Sequence, residues 1–305
     1  MNTTKTISTE LKDRVEPESP PAIAVKVKAT SQSERADLSP STSFGVLPRL
    51  NGAKLLSNTT CLITGGGTGI GRATAQRFAE EGADVWVVGR SRETLDETAA
   101  MIGAKCTARV ADVTDAARLA EVIDSMPALD VLVSNAAVSF SVDPLADPLE
   151  QWRKMIEVNL WGTVNACRAA GKRMVRDGRG GRIVIVSSIL GELAEPGSTP
   201  YGMAKAAINQ LARGLAGEWA AHGILVNIVA PGFVQTPMSF VSGANELESE
   251  WCKQFFLNPE RPRVPLLRPG APEEIAEAIL FFANPRNTYC TGAKLTIDGG
   301  LSIKF

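Results

Sequence analysis

The chain has 305 residues, of which 44% are hydrophobic and 21% charged, and its formal net charge is −1. That length holds one large domain or two small ones, and a composition near the globular average allows a sizeable core. The near-neutral balance gives no global field for nucleic acid or an acidic membrane surface, and no apolar run approaches the roughly 18–20 residues of a membrane helix. Five cysteines (Cys61, Cys106, Cys167, Cys252, Cys290) are scattered without a CxxC pair, and His222 stands alone. This pattern suits neither a disulfide frame nor a metal site, and reads as reduced thiols in a cytoplasmic protein.

Residues 1 to about 50 are rich in Ser, Thr, Pro, Lys and Glu and nearly lack aromatics. Such a stretch cannot bury enough apolar surface to offset its ordering entropy, so it is expected to be a disordered tail. An organelle transit peptide is the minor alternative, and the acids Glu10, Asp13, Glu16 and Glu18 count against it.

From Thr59 the texture changes. Cys61-Leu62-Ile63 is a short apolar run, followed by Thr64-Gly65-Gly66-Gly67-Thr68-Gly69-Ile70-Gly71 and a helical pattern through Ala73, Ala75, Phe78 and Ala79. Val85–Val88 reads as a strand by length and β-branching. A polar helix (Arg92–Met101), a strand ending near Val110 and a helix around Leu119 and Val122 follow. Val131–Val133 is a further strand, Met155–Met174 a long helix, Ile183–Val186 a strand and Tyr201–Ala221 a helix. Leu225–Val229, the helix Glu273–Ala283 and the strand Lys294–Ile297 complete the set. Strands and helices alternate, and the strands are continuous apolar runs, as when both faces of a sheet are covered. The expected fold is α/β: a single doubly wound parallel sheet, a Rossmann fold, over residues 51–305.

The glycine stretch lies between the first strand and the first helix. Glycine lets the backbone turn sharply and approach a ligand, and the helix N-terminus behind it suits a pyrophosphate. Gly65, Gly69, Ile70 and Gly71 are therefore candidate cofactor residues. The second strand ends at Val88, and NAD-preferring folds place an acid just beyond, for the ribose 2′-hydroxyl. Here Gly89 occupies that place and Arg90 follows, a side chain that can pair with a 2′-phosphate. The expected cofactor is NADP(H), with NAD as the alternative.

Tyr201 and Lys205 are four apart at the start of a predicted helix, so they share one face. A fixed cation beside a phenol favours the phenolate, and that tuning suits a proton donor and acceptor. Ser188 follows the strand Ile183–Val186, and ligands of parallel sheets bind beyond the carboxyl ends of the strands. It is placed to hydrogen-bond a substrate oxygen.

Together these residues resemble the short-chain dehydrogenase/reductase family, and the resemblance covers nearly all of 55–303. Its motifs are the Thr64–Gly71 turn, Ala111-Asp112-Val113, Asn135-Ala136, Val158-Asn159-Leu160, Ser188, Tyr201-x-x-x-Lys205, Pro231-Gly232-x-x-x-Thr236 and Asp298-Gly299-Gly300. The resemblance implies that Ser188 orients a carbonyl, Tyr201 moves the proton, Lys205 holds the nicotinamide ribose and Asn159 supports a water-linked proton path. It implies that Asp112 contacts the adenine, Asn135 lines the cofactor cleft, and Val234 and Thr236 meet the carboxamide. Asp112 and Asn159 have structural readings too, as a helix cap and a helix-bend residue. One departure is Ala137, where the family usually has glycine, which puts the geometry of that loop in question. The stretch Leu132–Val138 looks like the NADPH-dependent carbonyl reductase branch.

Thr236–Pro269 is irregular and carries Met238, Phe240, Trp251, Phe255, Phe256 and Leu257. In relatives this region covers the substrate, and here it either closes on an apolar substrate or packs against the body. Phe140, Leu190, Leu193 and Ala194 are candidates for the facing wall. The expected partner is a small carbonyl or alcohol substrate. By analogy with the family, the segment Leu295–Phe305 is expected to join subunits in a homo-oligomer, a tetramer before a dimer. The enzymatic rival is 3-oxoacyl-carrier-protein reduction, which wants a basic surface near the cleft; Arg173, Arg176, Arg179 and Arg182 are its candidates. The rival of another class is a catalytically silent NADP-binding regulator.

Overall fold

The computed structural model describes residues 54–241, 244–245, 249–258, 260 and 262–303, and the tail expected at 1–50 lies outside them. Seven parallel strands form one sheet in the order β3-β2-β1-β4-β5-β6-β9. These are β1 (Thr60–Thr64), β2 (Asp84–Gly89), β3 (Cys106–Val110), β4 (Val131–Ser134), β5 (Gly181–Val186), β6 (Ile224–Pro231) and β9 (Lys294–Ile297). Two-residue strands β7 (Phe240–Val241) and β8 (Ala244–Asn245) pair antiparallel outside it. The helices are α1 (Gly69–Glu80), α2 (Arg92–Ile102), α3 (Ala116–Asp124), α4 (Leu149–Ile156), α5 (Gly162–Asp177), α6 (Thr199–Trp219), α7 (Glu250–Phe256) and α8 (Pro272–Ala283). The chain reverses its direction of winding between β1 and β4, which are neighbours in the sheet. A doubly wound sheet opens a crevice at that point.

The strands are apolar throughout because both faces are covered. Leu62, Leu132, Ile183 and Ile185 face one layer, with Ala166, Ala170 and Met174 of α5 and Ile208 and Ala212 of α6. Their neighbours Cys61, Ile63, Val131 and Val133 face the other, with Ala75 and Phe78 of α1 and Ile275, Ile279 and Phe282 of α8. A fully buried side chain of this size contributes about 1.5–3 kcal/mol of transfer free energy. This core fixes the strand ends that carry the site.

The stretch Met155–Met174, expected as one helix, is interrupted. Between α4 and α5 the turn Glu157–Trp161 is π-helical, with the buried Asn159 at its centre. The Asn159 amide grips the backbone of Val138, accepting from its N–H (3.1 Å) and donating to its carbonyl (2.8 Å). A wider turn directs this side chain inward to the loop after β4, and such turns recur at functional sites. The segment 236–269 holds a helix that periodicity did not indicate, α7, capped by the Ser249 hydroxyl, which accepts from the Cys252 N–H (3.0 Å).

Candidate active site

The turn after β1 is shaped by glycine. Gly65 has φ +66°, and a Cβ on Gly71 would sit 2.2 Å from the Gly65 carbonyl oxygen, so no larger residue fits that contact. The first turn of α1 then lies directly against the loop. Its N-cap residue Thr68 makes no side-chain cap, and the first turn carries no acid. Its leading N–H groups are thus left to an anion, and the cradle fits a dinucleotide pyrophosphate. Sequence reasoning missed what holds this turn. Arg72 donates from Nε to the Gly67 carbonyl (2.8 Å) and the Thr98 hydroxyl (3.0 Å), and from Nη2 to Glu97 (2.6 Å). The buried Thr64 hydroxyl accepts the N–H groups of Asn135 (3.0 Å) and Ala136 (3.1 Å). Asn135 in turn donates from Nδ2 to the carbonyls of Thr64 (3.0 Å) and Gly65 (3.3 Å). It therefore stitches the end of β4 to the end of β1 as well as lining the cleft. Ala137 imposes no strain: among the described residues only Asn58 and Leu267 combine a side chain with positive φ.

A cleft of about 780 Å³ opens beyond these strand ends. It brings together Gly65, Gly69, Ile70, Asn135, Ser188, Tyr201, Lys205, Val234 and Thr236, as the sequence predicted. Gly71 lies beneath the turn against Gly65, while Asn159, Arg90 and Asp112 are not in its wall. Arg90 is exposed just past β2 and has no hydrogen-bond or ion-pair partner among the described residues. Asp112 turns its carboxylate back on its own loop, where Oδ1 accepts from the N–H and hydroxyl of Thr114 (both 2.9 Å). It does not cap α3; Asp115 does.

Lys205 is buried, and its Nζ donates to the Val186 carbonyl at the end of β5 (3.0 Å). The same ammonium lies 5.3 Å from the Tyr201 ring centroid. Ser188 holds its hydroxyl in place by accepting from the Leu190 N–H (3.1 Å), and it is hydrogen-bonded to Tyr201. Electrostatics here departs from the expectation of a lowered phenol pKa. Burial pushes Tyr201 up to about 12, and the Ser188 hydrogen bond opposes that only in part. Burial pulls Lys205 down to about 8, because a desolvated ammonium is disfavoured. At neutral pH the phenol holds its proton and the lysine its charge. The pair is therefore set to donate a proton from oxygen.

The far half of the cleft has two walls. Leu190, Leu193 and Ala194 supply one, as expected, whereas Phe140 does not line it. The other is built by Phe233, Met238, Phe256, Arg263 and Leu301. Phe256 stacks on Phe233 with centroids 4.9 Å apart, so the covering segment both packs on the body and faces the cleft. The side chains of Phe240, Trp251 and Phe255 lie outside the described residues.

The four arginines offered as a carrier-binding surface lie away from the cleft, and each has a protein partner. Arg173 and Arg176 are in the last turns of α5, Arg179 is in the loop after it and Arg182 is in β5, at the end of the sheet opposite the cleft. Arg173 is buried, bonded to the carbonyls of Ile123 and Met126 and paired with Asp177 at 2.7 Å. Arg176 pairs with Asp124 (2.8 Å), Arg179 with Asp130 (3.1 Å), and Arg182 donates to the Pro285 carbonyl (2.7 Å). They are structural ties.

A doubly wound sheet, an uncapped helix behind a glycine turn and a phenol beside an ammonium in one cleft define a nicotinamide-dependent oxidoreductase. Known proteins agree. Residues 65–302 match the family model described as enoyl-(acyl carrier protein) reductase. A 3-oxoacyl-[acyl-carrier-protein] reductase of Thermotoga maritima is 38% identical over 255 residues, 81% of this chain and 99% of that protein. The galactitol 2-dehydrogenase (L-tagatose-forming) of Cereibacter sphaeroides is 36% identical, over 81% of this chain and 96% of that one. A gluconate 5-dehydrogenase from Burkholderia cenocepacia, solved with NADP and tartrate, superposes with a TM-score of 0.76 at 29% identity, covering 83% of this chain and 98% of that one. The chain belongs to the short-chain dehydrogenase/reductase family, whose members act on alcohol and keto groups of small molecules with a nicotinamide cofactor. Among the described residues no helix is long and apolar enough to cross a membrane.

The Lys205 side chain, followed by NMR in the ligand-free protein, should titrate near 8 and not at the ordinary 10.5. A midpoint at the ordinary value would mean that the amine is not buried as described.

Proposed function

We propose that this chain reduces a carbonyl to a secondary alcohol with NADPH, Tyr201 supplying the proton, and catalyses the reverse oxidation with NADP. The observation that carries this reading is the Tyr201–Lys205–Ser188 group on the wall of the cleft that also holds the glycine turn. The nicotinamide, when bound, supplies the hydride to the carbonyl carbon. Ser188 and Tyr201 hold the carbonyl oxygen between two hydroxyls, and the Tyr201 proton passes to that oxygen as the alcohol forms. Lys205 keeps a positive charge beside the phenol, which steadies the phenolate left behind. Its other proposed task is to hold the nicotinamide ribose.

Gly65, Gly69, Ile70 and Gly71 are proposed to cradle the pyrophosphate, Asp112 to meet the adenine, and Asn135, Val234 and Thr236 to meet the nicotinamide side. Asn159 is proposed to fix the Val138 backbone and, by the family pattern, to support a water-linked proton path. NADP is favoured over NAD because Arg90 is an unpaired guanidinium where an acid would select the 2′-hydroxyl. The relative solved with NADP is in keeping with that choice. We take residues 51–305 as one catalytic domain behind a tail, in a cytoplasmic homo-oligomer, tetramer favoured. Exposed Trp161, Phe281 and Tyr289 are apolar surface that other subunits would cover. Reduction of a 3-oxoacyl group on a carrier protein remains the second reading, on the likeness to the Thermotoga maritima enzyme. A silent NADP-binding regulator is the third.

Tyr201→Phe should cut turnover of ketones by about 10²-fold or more while NADPH still binds, the scale of a lost general acid. Unchanged turnover defeats the assignment, and binding without turnover of any ketone by the natural protein favours the regulator. Arg90→Ala should weaken NADPH more than NADH when both are titrated by fluorescence. Equal losses would show that Arg90 does not meet the 2′-phosphate.

A further inference from the structure

Beyond Ser188 and Tyr201 the cleft runs between apolar side chains. Leu190 and Leu193 stand on one wall, Met238, Phe256 and Leu301 on the other. Packing accounts for part of this set. Phe256 and Leu301 belong to a small core with Cys252 and Val264, and Phe256 stacks on Phe233. Leu193 and Met238 belong to none of the buried cores among the described residues, and 41% and 42% of their surface stays open. A single large apolar side chain on an open surface is ordinary. Two on the facing walls of a concave site that also holds the proton donor mark where an apolar group rests. The polar side chains along these walls have partners in the protein. The Ser239 hydroxyl donates to the Thr236 carbonyl (2.6 Å), and Glu195 accepts from the Ser198 hydroxyl (3.5 Å). Arg263 is exposed and also interacts within the protein. A substrate hydroxyl laid against Leu193 and Met238 would give up water and gain no partner there. Hydrocarbon in the same place would free water from both side chains.

Building on the carbonyl–alcohol reaction proposed above, we propose that the substrate is a ketone with a hydrocarbon body, held between Leu193 and Met238. In the oxidative direction it is the matching secondary alcohol. Its carbonyl meets Ser188 and Tyr201, and its carbons lie along the two apolar walls. Leu193 and Met238 are then specificity-determining residues, since each methylene that reaches them adds buried apolar area. A ketose, with a hydroxyl on each carbon beyond the carbonyl, would leave those hydroxyls unpaired against the same side chains.

The test follows NADPH oxidation on the full-length chain with straight methyl ketones, from butanone to methyl hexyl ketone, and with the ketose fructose. In the natural protein kcat/KM should rise roughly threefold to fourfold per added methylene, the value of burying one such group. Fructose should fall below the six-carbon methyl ketone by about tenfold or more, the cost of unpaired hydroxyls. Leu193→Gln and Met238→Gln should each shrink the gain per methylene, chiefly by raising KM for the longer ketones. NADPH titration of each variant checks that it is folded. A flat series in the natural protein, fructose used as well as the methyl ketone, or a gain untouched in both variants overturns the apolar substrate and leaves the carbonyl reaction standing. Failure of every ketone with NADPH bound overturns the carbonyl reaction, and this proposal with it.

Discussion

The site depends on one buried cation. Lys205 lies one helical turn beyond Tyr201, its ammonium fastened to the carbonyl that ends β5 and set near the phenol ring. Burying that ammonium is unfavourable, which is why its pKa falls to about 8, and a fold keeps such a group only where packing fixes both helix and strand. The layer of α5 and α6 against β4 and β5 supplies that fixity. The same burial keeps the proton on Tyr201, so the resting pair is an acid beside a cation. That state suits delivery of a proton to a developing alkoxide.

A second constraint acts on the other side of the crevice. The contact of Gly71 with the Gly65 carbonyl lets α1 start against the turn and point uncapped N–H groups outward. Thr64, Asn135 and Arg72 then tie that turn to β4 and α2, leaving little freedom where a pyrophosphate would rest. The glycine turn and the Tyr201–Lys205 pair thus lie at the same end of one sheet, on either side of β4. Farther out, the end of α7 lines the cleft through Phe256.

Much of this was legible beforehand. Continuous runs such as Val85–Val88 and Ile183–Val186 need cover on both faces, so the sheet follows from them. Tyr201 and Lys205 follow from helical spacing, and the cradle from glycines between a strand and a helix. What stayed hidden depends on distant partners. The π-helical turn at Asn159 follows from a bond to Val138, 21 residues away, and no periodicity encodes it. Arg72 and Thr64 look like ordinary helix and strand residues until their partners arrive. The arginines after α5 suggested a basic surface because charge is visible in a sequence and its partners are not. The direction of the Tyr201 shift differs for a related reason: spacing shows the neighbouring cation but not the burial that raises the phenol, which the Ser188 hydrogen bond offsets only in part.

The most direct measurement is a crystal structure of the full chain grown with NADP. The account predicts the pyrophosphate against the N-terminus of α1, the 2′-phosphate within reach of Arg90, and the nicotinamide ribose beside Tyr201 and Lys205 with the phenol facing open substrate space. A dinucleotide bound elsewhere, or a Tyr201 hydroxyl turned away from the ring, would contradict it.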